Sequence, residues 1–224
     1  MKNICVLIPA YNEEKNISKV LTIKDIVKDI VVIDDGSTDN TIVEAEKHGS
    51  IILRNKLNQG KGAALRKGFG YALEKDYQWI MTLDADGQHL KEDAVKVLEA
   101  CNRADIIIGA RNFYDYNMPF LMRVTNKVLS FMISVAAGAK IHDTQSGLRL
   151  IKRDIFEKIF LQAKGYEIES ELLIKAVKAG FTVYEVPIKT VYFKKTLRKT
   201  IMMDILMFTS FFLKSLLPVK RSVK

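Results

Sequence analysis

Short apolar runs at positions 4–8, 30–33, 51–53, 79–83 and 105–108 alternate with helical patterns at 13–21, 39–47, 61–73 and 92–100, and that alternation leaves few folds open. Apolar runs separated by helix-length segments predict a parallel sheet covered by helices. Pro9 is read as the end of the first strand, and Thr38 or Asp39 as the N-cap of the second helix. After position 108 the pattern changes. Residues 111–120 read as a loop, 121–137 as an apolar helix bearing Arg123 and Lys127, and 144–150 as a loop entering a short strand. Helices near 153–160 and 169–179 follow, then a strand at 182–186 that Pro187 is expected to close. At 224 residues and 48% hydrophobic content the chain can bury one sizeable core, and no linker divides it.

Carboxylates gather where these strands end. Asp84-Ala85-Asp86 closes the run at 79–83, and Asp34-Asp35 closes the run at 30–33. Carboxylates this close repel unless a cation or hydrogen-bond donors offset them. A hard divalent ion, bound by oxygen and shared with a substrate phosphate, is the natural partner. Pro9-Ala10-Tyr11-Asn12-Glu13-Glu14 and Asn58-Gln59-Gly60-Lys61-Gly62 follow two further strands. Ligands of open α/β sheets bind beyond the carboxyl ends of the strands, so these segments predict one crevice.

Other signals are weaker. Gly60-Lys61-Gly62 lacks the spacing of a phosphate loop or a dinucleotide fingerprint, and reads as a plain helix N-terminus whose lysine and amides could favour an anion. His48, His89 and His142 have no metal spacing; His89 beside Gln88 lines the site or caps a helix. Cys5 and Cys101 form no Cys-x-x-Cys pair, which argues against structural zinc and fits a reducing compartment. The N-terminal residues lack the pattern of a signal peptide.

The net charge of +9 is concentrated at one end. Lys194, Lys195, Arg198, Lys199, Lys214, Lys220, Arg221 and Lys224 stand against Asp204 alone in the last segment, among the apolar residues of 201–217. A basic, apolar-rich helix lying on an anionic membrane face fits this better than a core helix or a membrane span. No nucleic-acid partner is expected.

The ordered set of motifs resembles the inverting family 2 glycosyltransferases. It comprises residues 9–14, 34–39, 58–62, 84–88 and 109–111, then Asp143-Thr144-Gln145-Ser146-Gly147-Leu148-Arg149, Glu169-Ser170-Glu171 and Glu185-Val186-Pro187-Ile188. Together they are similar to the dolichyl-phosphate mannosyltransferase branch, which makes dolichyl- or polyprenyl-phosphate sugars. The resemblance spans about residues 4–192. It implies a GT-A fold: an α/β chain with one Rossmann-like, mostly parallel sheet flanked by helices. Residues 1–110 would form a nucleotide-sugar half, 111–193 an acceptor half, and 194–224 a membrane-associating segment.

The resemblance also implies roles. Pro9, Tyr11 and Glu13 would hold the nucleoside, and Asp35 its base or ribose. Asp84, Ala85 and Asp86 would line the diphosphate, with Mg²⁺ or Mn²⁺ on Asp86 and Gln88, and Asp84 on metal, ribose or sugar. Arg111, Arg123 and Arg149 would guide an acceptor phosphate. Asp86, Arg111 and Glu169 are the catalytic candidates. A lipid phosphate is largely ionised at neutral pH and needs no base; a sugar hydroxyl would need one, with Glu169 as candidate. Glu169 could equally be a supporting helix residue. The helix at 121–137 is either core or membrane-dipping. After Val-Pro-Ile, relatives carry an arginine and a Gly-x-Ser-Lys-like loop. Here Lys194, Lys195, Arg198 or Lys199 would supply those contacts.

The expected activity is transfer of a hexose, mannose or glucose foremost, from a GDP- or UDP-linked donor to polyprenyl or dolichyl phosphate. The protein would act peripherally on the cytoplasmic membrane face, with scope for a membrane-protein partner. The alternatives are transfer to a glycan hydroxyl and a non-catalytic nucleotide-sugar-binding membrane subunit.

Overall fold

Residues 3–111, 118 and 120–189 are described in a computed structural model. The segment expected to associate with membrane, with Lys194, Lys195, Arg198 and Lys199, lies outside the described residues. The sheet has seven strands in the order β3-β2-β1-β4-β6-β5-β7. They are β1 (Ile4–Ala10), β2 (Asp29–Asp34), β3 (Ile51–Arg54), β4 (Trp79–Thr82), β5 (Ile106–Arg111), β6 (Arg149–Lys152) and β7 (Val183–Ile188). All neighbours pair parallel except β6, which runs antiparallel between β4 and β5. Helices α1 (Ile17–Val20), α2 (Thr41–Lys47), α3 (Lys61–Glu74), α4 (Lys91–Glu99), α5 (Phe120–Ala137), α6 (Asp154–Lys158) and α7 (Ile168–Lys178) flank it.

Both faces of the sheet are covered. Cys5 and Leu7 of β1, with Val31 and Ile33 of β2, pack beneath α3, α5 and α7. Val6, Ile8, Ile30 and Val32 point the other way, toward α1, α2 and α4. This alternation is the strand period, and burial on both sides explains the near-continuous apolar runs. Gly68 lets α3 approach closely: a Cβ there would lie 2.9 Å from Ile33 Cδ1.

Neither proline ends its strand. The Leu83 amide donates to the Leu7 carbonyl, so the peptide groups of Leu7 and Pro9 both face β4. The β1–β4 ladder stops at Leu7 and Thr82, so the N–H that Pro9 lacks breaks no rung. Pro187 pairs with Ala110 inside β7. The Thr182 carbonyl accepts from Ile106, so by alternation Pro187 turns its missing N–H to the open edge, where proline is tolerated.

The helix expected at 13–21 begins only at Ile17, where α1 is followed by a 3-10 turn at Leu21–Asp25. Tertiary bonds take the amides that a helix start would present. Asn12 N donates to Ser37 Oγ, Glu13 N to Thr41 Oγ1 and Glu14 N to Asp39 Oδ2. The loops after β1 and β2 are thereby stitched together. The residue before α2 is Asn40, although Asp39 Oδ1 does accept from Thr41 N at 3.0 Å.

Candidate active site

Strand order reverses between β1 and β4, and the two strands part company beyond Leu7 and Thr82. A crevice must open at such a switch point. The cleft found there has a volume of about 370 Å³ and is lined by Pro9, Tyr11, Glu13, Asp35, Asn58 and Gly60 from the segments that follow β1, β2 and β3. Lys61, Asp84, Ala85, Asp86 and Tyr166 line it as well.

Asp84 is clamped on two sides. Lys61 Nζ lies 2.6 Å from Asp84 Oδ1, and a Cβ on Gly147 would sit 2.1 Å from Asp84 Oδ2. The Gly147 carbonyl is pinned by the Thr82 hydroxyl at 2.9 Å. Burial works against charge on Asp84, but Lys61, then His89, outweigh it and hold the carboxyl below its ordinary range. Lys61 is likewise buried, yet Asp84 and Glu169, the latter at 2.9 Å, raise its pKa. Both groups are therefore ionised at neutral pH.

Asp86 is treated differently by its surroundings. Burial and the Asp84 charge push its pKa up to about 6, against the opposing pull of the Gln88 amide. Gln88 closes a turn around it through Gly87 at φ 75°, donating N to Oδ1 at 3.0 Å and Nε2 to Oδ2 at 2.6 Å. A carboxylate lifted by a like charge at a cleft wall fits an incoming cation. Among the described residues no three His, Cys, Asp or Glu side chains form a cage. A hard cation here would need oxygens from a substrate, the arrangement Mg²⁺ prefers.

Asp35, just beyond β2, is held by three donors. Its carboxylate accepts from Asn55 Nδ2 at 2.8 Å, Gln59 N at 3.0 Å and Gly60 N at 2.7 Å. Asp35 thus shapes the loop that delivers Lys61, besides lining the cleft. Pro9 and Tyr11 form the wall, Tyr11 being exposed, while Glu13 Oε2 accepts from Asn16.

On the second half, Arg111 donates Nε and Nη2 to Asp143 at 2.7 and 2.8 Å, a bidentate fork. Burial disfavours charge on Asp143, but Arg111 outweighs it and lowers the pKa. Glu185 accepts from the amides of His142 and Asp143, which anchors this loop to β7. Arg123, on the first turn of α5, donates Nη2 to the Met118 carbonyl.

Arg149 departs from the expected role in phosphate guidance. It is 1% exposed and spends its donors on main-chain carbonyls: Nε on Ser146, Nη1 on Glu169 and Nη2 on Thr144. It braces the loop that presents Gly147. Glu169 is buried with its carboxylate 2.9 Å from Lys61 Nζ, and it lines a second, smaller pocket with Leu65, Phe69 and Arg149.

Sequence reasoning missed Lys61 as the hub of the site and Tyr166 as the facing wall. Gly60-Lys61-Gly62 is glycine-rich for close packing: a Cβ on Gly60 or Gly62 would lie 2.6 Å from the carbonyl oxygen of Lys164 or Gly165. The Ala63 amide donates to Lys164. Both contacts seat residues 163–166 beside the cleft, with the Tyr166 ring centroid 5.7 Å from Lys61 Nζ. A lysine between two glycines was the available signal; its partners lie 23 and 108 positions away and no local pattern reveals them.

A family model described as Glycosyl transferase family 2 matches residues 5–160. A UDP-N-acetylglucosamine–dolichyl-phosphate N-acetylglucosaminyltransferase of Methanococcus voltae is 35% identical over 217 residues, covering 85% of this chain and 86% of that protein. A polyprenol monophosphomannose synthase of Mycolicibacterium smegmatis is 33% identical over 199 residues, covering 82% and 75%. Among solved structures, glucosyl-3-phosphoglycerate synthase of Mycobacterium tuberculosis with Mn²⁺, UDP and phosphoglyceric acid superposes with a TM-score of 0.78 at 18% identity. That match covers 98% of this chain and 80% of that one, and it establishes the GT-A fold.

Proposed function

The chain belongs to glycosyl transferase family 2 and is a glycosyltransferase, and on that premise we propose that it moves a hexose from a nucleoside-diphosphate sugar to a polyprenyl or dolichyl phosphate. The observation that carries this reading is the unlike treatment of Asp84 and Asp86 at the end of β4. One carboxylate is neutralised by Lys61, and the other is left raised and turned to the cleft.

In this reading the nucleoside lies between Tyr11 and Asn58, and the diphosphate lies against Asp84–Asp86. Asp86 and the Gln88 side chain would hold Mg²⁺ or Mn²⁺ together with the diphosphate; when bound there, the ion supplies positive charge against the departing diphosphate. Lys61 keeps Asp84 ionised and oriented as an acceptor for ribose or sugar hydroxyls. Tyr166, half-exposed beside the cleft, would cover part of the bound donor. An acceptor phosphate oxygen attacks the anomeric carbon as its bond to the diphosphate oxygen breaks, so one displacement inverts the configuration. The nucleophile is already anionic, and the chain need supply no base. The pairing of Glu169 with Lys61 supports this choice over a hydroxyl acceptor. Arg111 and Arg123 remain the proposed phosphate guides, with Arg111 held in place by Asp143.

A lipid acceptor requires a membrane face. Among the described residues α5 is the one helix long and apolar enough to cross a membrane, with a mean hydropathy of 1.3. Its inner side is tied down instead, Ser134 bonding Ile141 and Ser130 bonding Thr144. Its outer side exposes Phe120, Leu121, Val124, Val128, Phe131 and Val135, which supports a helix resting on a bilayer surface. The named relatives acting on dolichyl phosphate and making polyprenol monophosphomannose support the same acceptor class.

The test is transfer of radiolabel from a panel of nucleotide sugars into polyprenyl phosphate, with and without Mn²⁺. Label in the lipid phase that needs the metal is expected. Full metal-dependent transfer by Asp86→Ala sinks the mechanism, and label confined to soluble glycans sinks the lipid acceptor.

A further inference from the structure

Among the described residues, Tyr166 is the one side chain that the second half of the chain contributes to the lining of the cleft. We infer that the donor hexose stacks on the Tyr166 ring while the Asp84 carboxylate accepts from its hydroxyls. The inference rests on the proposed reading, in which a nucleoside-diphosphate sugar fills this cleft.

A pyranose presents two surfaces to a protein. Its hydroxyls are hydrogen-bond donors that a carboxylate accepts well. The C–H groups of its ring faces carry slight positive charge and pack on an aromatic plane, whose π-system is negative. A hexose site therefore joins a carboxylate to an accessible ring, and both stand around Lys61. Lys61 Nζ lies 2.6 Å from Asp84 Oδ1 and 5.7 Å from the Tyr166 ring centroid. Tyr166 is 51% exposed and the Asp84 side chain 28%, so each can still meet a ligand.

The ring stands on an anchored segment. The Lys164 carbonyl accepts from Ala63 N at 3.1 Å, and Arg66 Nη1 donates to the Gln162 carbonyl. The Glu171 carboxylate accepts from Gln162 N at 2.9 Å and from Ala163 N at 2.8 Å. A ring posted on such a segment loses little freedom when a ligand arrives, which favours binding.

The order of groups along the donor decides which of them meets this ring. Two tyrosines that line the cleft are half-exposed, Tyr11 just beyond β1 and Tyr166 before α7. In the proposed reading Tyr11 lies by the nucleoside, where an aromatic face stacks on any base. Displacement needs the anomeric carbon between the diphosphate at Asp86 and the acceptor phosphate, which Arg111 and Arg123 guide from the second half. The hexose thus sits on the second-half side of the diphosphate, and Tyr166 is the second-half side chain that reaches the cleft. Asp84, open until now to ribose or sugar, falls to the sugar.

The experiment is calorimetric titration of the full chain, without acceptor and in excess Mn²⁺. The probes are UDP beside UDP-glucose and UDP-N-acetylglucosamine, and GDP beside GDP-mannose. Tyr166→Ala should weaken the nucleotide sugar that the wild type binds by about tenfold and leave its plain diphosphate within about twofold. Tyr166→Phe, which keeps the ring, should bind both as the wild type does. Tyr11→Ala should weaken the diphosphate and the nucleotide sugar alike. General loosening of the segment would weaken both probes, so the difference between them reads the stack. Equal losses in Tyr166→Ala put the ring on another part of the donor and overturn the inference. Normal binding by Tyr166→Ala overturns it too, as does Tyr166→Phe binding as weakly as the alanine variant. These outcomes leave the transferase reading standing; failure of the wild type to bind any of these nucleotides overturns that reading as well.

Discussion

Gly147 lies directly against the Asp84 carboxylate: a Cβ on this glycine would meet Oδ2 at 2.1 Å and Cγ at 2.4 Å. No backbone rotation excuses the overlap, because the Thr82 hydroxyl holds the Gly147 carbonyl and Arg149 braces the carbonyls of Thr144 and Ser146. The loop from the second half of the chain is thus the mould in which the first half's carboxylate is set. Gly147→Ala should push Asp84 off Lys61 and lower kcat by about a hundredfold, the usual cost of an ångström-scale misplacement. Steady-state transfer assays beside thermal melts would check it. Unchanged kcat would mean that Asp84 position does not matter.

Lys61 lies between two carboxylates, 2.6 Å from Asp84 and 2.9 Å from Glu169. Lys61→Met should destabilise the fold by about 3–5 kcal/mol, because removing one partner leaves buried charge uncompensated. Adding Glu169→Gln should restore part of that loss. Urea denaturation of the single and double variants measures the coupling, and additive losses would contradict a shared site.

Asp86 is predicted to sacrifice stability for function. Its folded pKa of about 6 lies above the unfolded carboxylate value, so the native state binds more protons and stability falls as pH rises through that window. Asp86→Asn should therefore raise Tm at pH 7.5 while abolishing metal-dependent transfer. In the wild type, Mn²⁺ affinity without nucleotide should fall about tenfold per pH unit below 6. Calorimetry at pH 5, 6 and 7.5 tests the slope; a flat profile removes Asp86 from the metal site.

The Arg111–Asp143 fork has the opposite pH sign. The Asp143 pKa is depressed, so its contribution is complete above about pH 4, the unfolded value, and disappears as pH falls through the folded value. Asp143→Asn should cost about 1.5–3 kcal/mol at pH 7, and the gap to wild type should close in acid. Chemical denaturation at pH 7 and pH 3 makes the comparison.

The outer side of α5 should bind lipid. Phe131 is 70% exposed, so Phe131→Glu removes no core contact. It should reduce flotation with anionic vesicles several-fold and leave the melting temperature within about 1 °C. Equal flotation would take α5 off the membrane.

Much of the site could be read from order along the chain, because strand ends that carry Asp35, Asp84 and Asp86 must meet once a parallel sheet forms. Roles were less legible than positions. The sequence offers Arg149 as a phosphate guide and leaves Glu169 open between base and helix support. Their partners come from the fold: three main-chain carbonyls take the Arg149 donors, and Lys61 pairs with Glu169. The helix expected at 13–21 starts late, at Ile17, for the same reason, the amides of Asn12, Glu13 and Glu14 being claimed by Ser37, Thr41 and Asp39 from the neighbouring loop.

Hydrophobic periodicity in the sequence implied a parallel sheet with a helical cover, and the ordered motifs carried the family resemblance, since apolar spacing and short motifs are local properties of the chain. Tertiary structure alone decided which charges are spent and which are offered. A carboxylate's pKa and its remaining hydrogen-bond capacity depend on groups brought near it by folding. Asp84 and Asp86, neighbours with a single alanine between them, therefore leave the fold with opposite shifts.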